Sequence, residues 1–278
     1  MSTLNRALPL LRTSIRCITT APRNTIPNTV CPKETAFFKT LAPTWWDDNS
    51  VVKLLRYMTP VRVELLKENL INAGLVHSEE VDPQRPFENI KVLEVGCGGG
   101  FLAEAIAKLG AHVTGIDAND DLIRVAKEHM LKDETLKKNL TYKTVTVEEF
   151  ALENAERFDV IVSSEVIEHV LDKEVFASNA LKCLRPGGSA FFTTMNRTPI
   201  SGFYYIYLCE NVMKLIPKGA HEYAKFMRPK EMVDLFRKYK CITTNIEGFT
   251  LNPITGNWFR VGHPHFNFAL HAIKHTTV

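Results

Sequence analysis

The chain reads as an α/β protein: a mostly parallel sheet with helices on both faces. Three observations predict this. Between residues 90 and 194, short apolar runs of strand length alternate with helical patterns, the arrangement of parallel strands joined by crossover helices. The first run closes in Val92-Leu93-Glu94-Val95-Gly96-Cys97-Gly98-Gly99-Gly100, a strand followed by a tight glycine turn where backbone can approach a ligand. The second run, His112 to Ile116, closes at Asp117, twenty-one positions after Gly96. A carboxylate there suits the hydroxyls of a ribose.

The elements follow in order. Residues 34–41 have the pattern of a short amphipathic helix, and Trp45-Trp46-Asp47 reads as a turn whose indoles cover the core or a ligand mouth. Thr59-Pro60 reads as a cap with proline in the first helical position, and the helix then runs to about Ala73 with Gly74 as its stop. Residues 75–89, with Pro83 and Pro86, form a linker loop. Strands are expected at 90–95, 111–116, 140–145, 158–163 and 189–194, with helices over 99–109, 120–131 and 173–184 and helical residues after 165. Arg185-Pro186-Gly187-Gly188 is a turn signal. Residues 199–228 form an insertion. A helix from Pro229 to Tyr239 and strands near 241–248 and 266–273, joined by a hairpin-like connection through Asn252-Pro253-Ile254-Thr255-Gly256, complete the chain.

Composition narrows the class. Of 278 residues, 45% are hydrophobic and 23% charged, ordinary for a globular chain. The net charge of +3 comes entirely from Arg6, Arg12, Arg16 and Arg23. Residues 1–30 hold no acid and interleave Leu8, Leu10, Leu11 and Ile15 with Ser and Thr, the pattern of a mitochondrial transit peptide. The remainder, 31–278, reads as one near-neutral domain. It carries no basic stripe interleaved with aromatics, and the Asn-Pro-Pro-aromatic signature of base-modifying enzymes is missing after the fourth strand. This speaks against a nucleic-acid partner. None of the six cysteines forms a C-x-x-C pair, so no zinc site is expected.

The glycine turn also selects its cofactor. A dinucleotide fingerprint needs glycine at 101, where Phe101 stands. Glu94, two residues before Gly96, would repel a pyrophosphate and attract an ammonium. S-adenosylmethionine has adenosine, a sulfonium and an amino-acid tail, and no phosphate. The stretch resembles motif I of the class I S-adenosylmethionine-dependent methyltransferases. Ligands of open α/β sheets sit beyond the carboxyl ends of the strands, which gathers Glu94, Gly96, Gly98, Asp117, Ser163, Ser164 and Glu165 into one crevice. Thr146-Val147-Glu148-Glu149, after the third strand, reads either as an adenine contact or as a plain helix start.

After the fourth strand comes Ser164-Glu165-Val166-Ile167-Glu168-His169. In a helix, Glu165 would share a face with Glu168 and His169. Such a group can bind a divalent metal or do acid–base work, or it can simply complement a helix N-terminus.

Several motifs occur in order: Trp45-Trp46-Asp47, Thr59-Pro60-Val61-Arg62, the glycine turn, Glu165-Val166-Ile167-Glu168-His169, Leu184-Arg185-Pro186-Gly187-Gly188, Pro217-Lys218-Gly219-Ala220-His221 and Asn252-Pro253-Ile254-Thr255. Together they resemble the ubiquinone-biosynthesis O-methyltransferase family in its mitochondrial form, over roughly residues 34–273. The resemblance implies a Rossmann-like class I methyltransferase fold with seven strands, the terminal one antiparallel, plus an N-terminal helical extension and an interfacial insertion. It implies two O-methylations of a polyprenylated catechol, one on a dihydroxybenzoate and one on demethylubiquinol. It implies that Arg62, Gly96, Asp117 and Ser164 contact S-adenosylmethionine and that Glu165, Glu168 and His169 hold Mg²⁺. It further implies a peripheral enzyme on the matrix side of the inner membrane, working within a multi-protein complex. His169 and Glu165 are the candidate catalytic groups. Metal assistance and general-base catalysis both remain open at this point.

The insertion carries Phe203-Tyr204-Tyr205-Ile206-Tyr207-Leu208, then Val212, Met213, Leu215 and Ile216, with Lys214 and Lys218 close by. This run reads as an interfacial helix docking on a bilayer or as a lid packed on the core. Lys218 and His221 fall at the substrate mouth or in a packing turn. Two other functions are compatible with the glycine turn: methyl transfer to carbon or nitrogen of another small aromatic, and a non-catalytic cofactor-binding scaffold.

Overall fold

Eight strands form one sheet in this computed structural model, which describes residues 28–76 and 82–275. They are β1 (Lys91–Val95), β2 (His112–Asp117), β3 (Leu140–Thr144), β4 (Phe158–Ser164), β5 (Leu184–Met195), β6 (Cys241–Leu251), β7 (Trp258–Val261) and β8 (Asn267–Lys274). Their order is β3-β2-β1-β4-β5-β8-β6-β7. The first five pair in parallel. β8 lies antiparallel between β5 and β6, and β7 pairs antiparallel on the outer edge of β6. The leader expected over 1–30 lies outside the described residues except for its last three.

The helices are α1 (Pro32–Leu41), α2 (Lys53–Asn72), α3 (Phe101–Lys108), α4 (Asp120–Met130), α5 (Val147–Glu153), α6 (Lys173–Lys182), α7 (Pro199–Gly202) and α8 (Pro229–Lys238). Strand neighbours point to opposite faces, so the central strands must be apolar throughout. Val92, Val160, Val162 and Phe191 pack with Leu65 and Leu66 of α2, Ile106 of α3 and Ile123 of α4. Leu93, Ile161 and Phe192 pack with Phe150 of α5, Phe176 of α6 and Phe236 of α8. Local chemistry starts the helices where the chain turns off the sheet. The Asn119 and Asp172 side chains accept from backbone N–H groups at the starts of α4 and α6, and Thr146 and Glu149 form a capping box on α5. Each such cap contributes about 1 kcal/mol.

Four expectations are corrected. α2 begins at Lys53, so Pro60 lies inside it. Proline lacks the N–H that would bond Arg56 O; in the same stretch side chains donate to two other carbonyls, Trp258 Nε1 to Leu54 O at 2.9 Å and Arg62 Nη2 to Leu55 O at 2.8 Å. The stretch after β4 is a turn rather than a helix, with Glu165 at φ 55° and His169 N–H donating to Val166 O at 2.8 Å. β5 starts at Leu184, because Arg185-Pro186-Gly187-Gly188 is absorbed as an irregularity in its pairing with β4, with Gly187 at φ 73°. The sheet has an eighth strand, and Asn252–Gly256 leads into β7 before the chain returns as β8.

The insertion is helical. α7 continues into a wide helix over Phe203–Val212 with i→i+5 bonding, a rare geometry that concentrates at functional sites. Residues five apart stack in it, and Tyr205 and Glu210 are both buried.

Candidate functional site

A cavity of about 260 Å³ opens at the carboxyl ends of β1, β2 and β4, beside the point where strand order reverses between β1 and β4. Arg62, Glu94, Gly96, Gly98, Asp117, Ser164, Glu165 and His169 all line it, as does Glu148 of α5. Glu168 does not. It faces a smaller recess that it shares with His169, Glu34 and His221.

The turn after β1 is fixed from both sides. Gly96 and Cys97 N–H groups donate to Ile116 O at 2.8 and 3.0 Å, and Gly98 N–H donates to Asp117 Oδ2 at 3.0 Å. Gly96, Gly98 and Gly100 sit at φ 76°, 52° and 95°, the region open to glycine. Gly99 is required for space: a Cβ there would lie 2.3 Å from the Trp45 ring. Trp45 and Trp46 therefore seat on the glycine turn, with Trp46 Nε1 donating to Gly99 O at 2.9 Å. Asp117 takes a second backbone bond from Asn119 at 2.8 Å. Each carboxylate oxygen retains a further acceptor site, and burial raises the carboxyl above its usual range.

The two charges nearest the turn are complementary and incompletely used. Glu94 is 3% exposed, and its Oε2 has no partner. Burial pushes its carboxyl up to about 8 against the pull of Arg62. Arg62 is 5% exposed; it donates from Nη1 to Ser164 Oγ at 2.9 Å and from Nη2 to Leu55 O and Thr59 Oγ1, and its Nε–H is buried without an acceptor. A buried free acceptor and a buried free donor on one wall suit a ligand carrying both an ammonium and a carboxylate.

From Arg62 a chain of hydrogen bonds runs across the strand ends. Thr193 Oγ1 donates to Glu165 Oε1 at 2.8 Å, so Ser164 Oγ must donate to Thr193 Oγ1 (2.7 Å). Asn267 Nδ2 donates to the other Glu165 oxygen at 2.9 Å. Burial, and then the charge of Glu168, push Glu165 up to about 8. Glu168 takes a bond from Thr194 Oγ1 at 2.8 Å and keeps Oε1 buried without a partner. The His169 ring turns the other way, with Nδ1 on Glu34 Oε2 at 3.1 Å. Burial opposes ionisation of Glu34, but its bonds to His169 and Lys225 win and bring it down to about 2. The turn after β4 thus disperses the three side chains a helix would have aligned. Among the described residues no three His, Cys, Asp or Glu side chains converge as a metal cage.

Sequence reasoning did not find the residues that hold this site. Thr193, Thr194 and Asn267 lie on strands remote in sequence, and Glu34 is a lone acid in a surface helix. Thr29 closes the near edge, its N–H and Oγ1 donating to Glu148 Oε1 at 3.2 and 2.5 Å. None of these carries a local signal. The insertion walls the far end with Tyr205, Ile216 and His221. Its inner side packs as a lid on Leu54, Met195 and Leu251, while Ile200, Phe203, Tyr207 and Val212 stay more than half exposed.

A methyltransferase-domain family model matches residues 72–241. The mitochondrial ubiquinone biosynthesis O-methyltransferase of Bos taurus is 36% identical over 261 residues, covering 94% of this chain and 70% of that one. The ubiquinone biosynthesis O-methyltransferase of Pelagibacter ubique is 34% identical over 247 residues, covering 89% of this chain and 99% of its own. Among solved structures, magnesium protoporphyrin IX methyltransferase from Synechocystis PCC 6803 with bound SAH superposes with a TM-score of 0.59 at 15% identity, covering 86% of this chain and 94% of that one. This last likeness is one of fold.

Proposed function

The chain belongs to the ubiquinone biosynthesis O-methyltransferase family, and from that premise we propose how its residues perform the reaction. It is an S-adenosylmethionine-dependent enzyme that methylates a hydroxyl of a polyprenylated aromatic. The acceptors we assign are a polyprenylated dihydroxybenzoate and demethylubiquinol. The observation that carries the cofactor assignment is the pair of unpartnered buried atoms, Glu94 Oε2 and Arg62 Nε. Glu94 takes the ammonium of the cofactor's amino-acid tail and Arg62 its carboxylate. Asp117 takes the ribose hydroxyls, and Gly96 and Gly98 let the backbone approach.

S-adenosylmethionine supplies the methyl group: an acceptor oxygen bonds to its carbon as the carbon–sulfur bond breaks and that electron pair returns to sulfur. The chain's part is positioning, which supplies much of the rate in such displacements, and removal of the hydroxyl proton. A phenol with a pKa near ~10 is a poor nucleophile at neutral pH. Glu165 lines the cavity with both oxygens held by Thr193 and Asn267, and it receives the proton. His169, steered by Glu34, is the second candidate for that role.

Mg²⁺ fits part of this donor set. Glu165 and Glu168 repel one another, and Glu168 Oε1 is an orphaned buried oxygen, a condition that a hard cation relieves. Glu165, Glu168 and His169 would hold it, with the His169 ring exchanging Glu34 for the metal, and its charge would favour the phenolate. The steps above do not depend on it.

The test is transfer of labelled methyl from S-adenosylmethionine to a short-tailed catechol, with and without Mg²⁺. An O-methylated product is expected, and failure to transfer under either condition overturns the assignment. Stimulation by Mg²⁺ that Glu168→Gln abolishes marks the carboxylates as ligands; equal rates in EDTA remove the metal and leave proton removal to Glu165 or His169.

The outer face of the insertion supports docking on a bilayer. Phe203 and Tyr207 stack at 5.1 Å between ring centroids on the exposed side, with Lys214 and Lys218 close in sequence to meet anionic head groups. Tyr204 belongs to the inner face, its Oη donating to Leu251 O. A Phe203→Asp/Tyr207→Asp variant is expected to lose flotation with anionic vesicles and to keep its rate on a short-tailed acceptor; undiminished flotation contradicts the docking. Among the described residues no helix is long and apolar enough to cross a membrane. We place the enzyme in the mitochondrion, directed by the arginine leader, on the matrix face of the inner membrane and within a biosynthetic complex. The mitochondrial names of its animal relatives support the compartment.

A further inference from the structure

We propose that His221, held by Glu210, hydrogen-bonds a hydroxyl of the acceptor ring and so selects which oxygen faces the methyl donor. This deepens the O-methyltransferase reading and rests on it. The two residues form a built unit. Glu210 is 3% exposed inside the wide helix Phe203–Val212. Its Oε2 accepts Gly219 N–H at 2.9 Å, and its Oε1 accepts both His221 N–H at 3.1 Å and His221 Nδ1 at 2.8 Å. The loop over 217–221 is thereby wrapped around one buried carboxylate.

A carboxylate only accepts, so Nδ1 carries the hydrogen, and in the neutral imidazole Nε2 presents its lone pair. Among the described residues Nε2 has no hydrogen-bond partner, and its ring lines both the main cavity and the recess beside Glu168. The ring centroid lies 6.4 Å from that of His169 and 6.5 Å from that of Tyr205. It therefore stands beside the turn after β4 and the wide helix. An acceptor ring in the cavity meets an unpaired imidazole nitrogen, and a catechol has two adjacent hydroxyls to offer it. The hydroxyl bonded to His221 is fixed, which leaves the neighbouring oxygen to face the donor. Glu210 touches no substrate and is a positioning residue.

The wide helix gives this arrangement its cause. In an α-helix a buried Tyr205 would share its face with Leu208 and Cys209. The wider turn brings Glu210 to the buried side together with Tyr205 and Cys209, where its carboxylate reaches the loop.

The experiment compares a short-tailed catechol with its analogue lacking one hydroxyl, as competing ligands, in the full chain and in His221→Phe, His221→Gln and Glu210→Gln. A single neutral hydrogen bond amounts to about a tenfold preference for the catechol in the unaltered protein. His221→Phe is expected to erase that preference and raise KM for the catechol, with S-adenosylmethionine affinity unchanged. His221→Gln, whose amide oxygen can still accept, should restore part of it, and Glu210→Gln should lower it part-way. A merely structural role would weaken both ligands alike. Undiminished preference in His221→Phe, or equal weakening of both ligands, overturns the proposal; if His221→Phe does not fold, the same outcomes are read from the other two variants. If the unaltered chain transfers no methyl to the catechol, the O-methyltransferase reading falls, and this inference with it.

Discussion

Glu94→Gln is expected to raise the dissociation constant for S-adenosylmethionine about 100-fold while the fold persists. Removing one partner of a buried, hydrogen-bonded charge pair costs roughly 2–5 kcal/mol, and 1.4 kcal/mol is tenfold. The same substitution changes the pH response. Burial raises the free carboxyl to about 8 from a usual 4.5, so across that window the folded chain holds a proton that the unfolded chain has released. Stability contributed by this group is complete below the lower value and falls as pH rises toward the upper one. An ammonium ligand requires the ionised form, so binding near neutral pH releases a proton, and affinity climbs with pH up to about 8. Calorimetry in buffers of different ionisation enthalpy reads that proton directly. Glu94→Gln should bind without releasing it and should melt at a higher temperature than the parent at pH 8. An unchanged affinity, or the same proton release in both, would show that Glu94 does not meet the cofactor.

Glu165→Gln is expected to lower kcat by roughly 10²–10⁴, the usual contribution of a positioned acid or base. Binding of S-adenosylmethionine should stay within about threefold, a few tenths of a kcal/mol. The variant suits the question because its shape is preserved. The glutamine oxygen accepts from Asn267 as the carboxylate does, and the Thr193 hydroxyl, which now donates to Glu165, can rotate to accept from the new amide. Lost activity with intact cofactor binding thus reports chemistry at the acceptor rather than a collapsed site. Single-turnover methyl transfer beside fluorescence titration of the cofactor measures both, and kcat within tenfold of the parent contradicts the assignment.

Much of this was legible in advance, for local reasons. A buried parallel strand must be apolar on both faces, so 90–95 and 158–163 stood out against the helical patterns around them, and both are strands within a residue at each end. The glycine turn was legible because positive φ admits few residues besides glycine. Local reasoning failed where a distant partner changed the rules. Pro60 suits a first helical turn, but α2 begins at Lys53, where a distant side chain meets its start: Trp258 Nε1 donates to Leu54 O. Glu165 to His169 have a helix-compatible spacing, but Thr193, Thr194 and Glu34 bind their three side chains in different directions. The aromatic run of the insertion offered two alternatives: its inner side packs as a lid on Leu54, Met195 and Leu251, and Phe203 and Tyr207 stay exposed on a helix whose bonding pattern composition does not encode.

The sequence by itself determined the sheet, the glycine turn and the carboxylates at the ends of β1 and β2, because each depends on backbone geometry and burial within a few residues. The tertiary structure decided what those groups face. Arg62 reaches Ser164 across 102 positions, Asn267 reaches Glu165 across 102 and Trp46 reaches Gly99 across 53. Contacts of that kind are set by sheet order and helix packing, and no local pattern of residue types carries them.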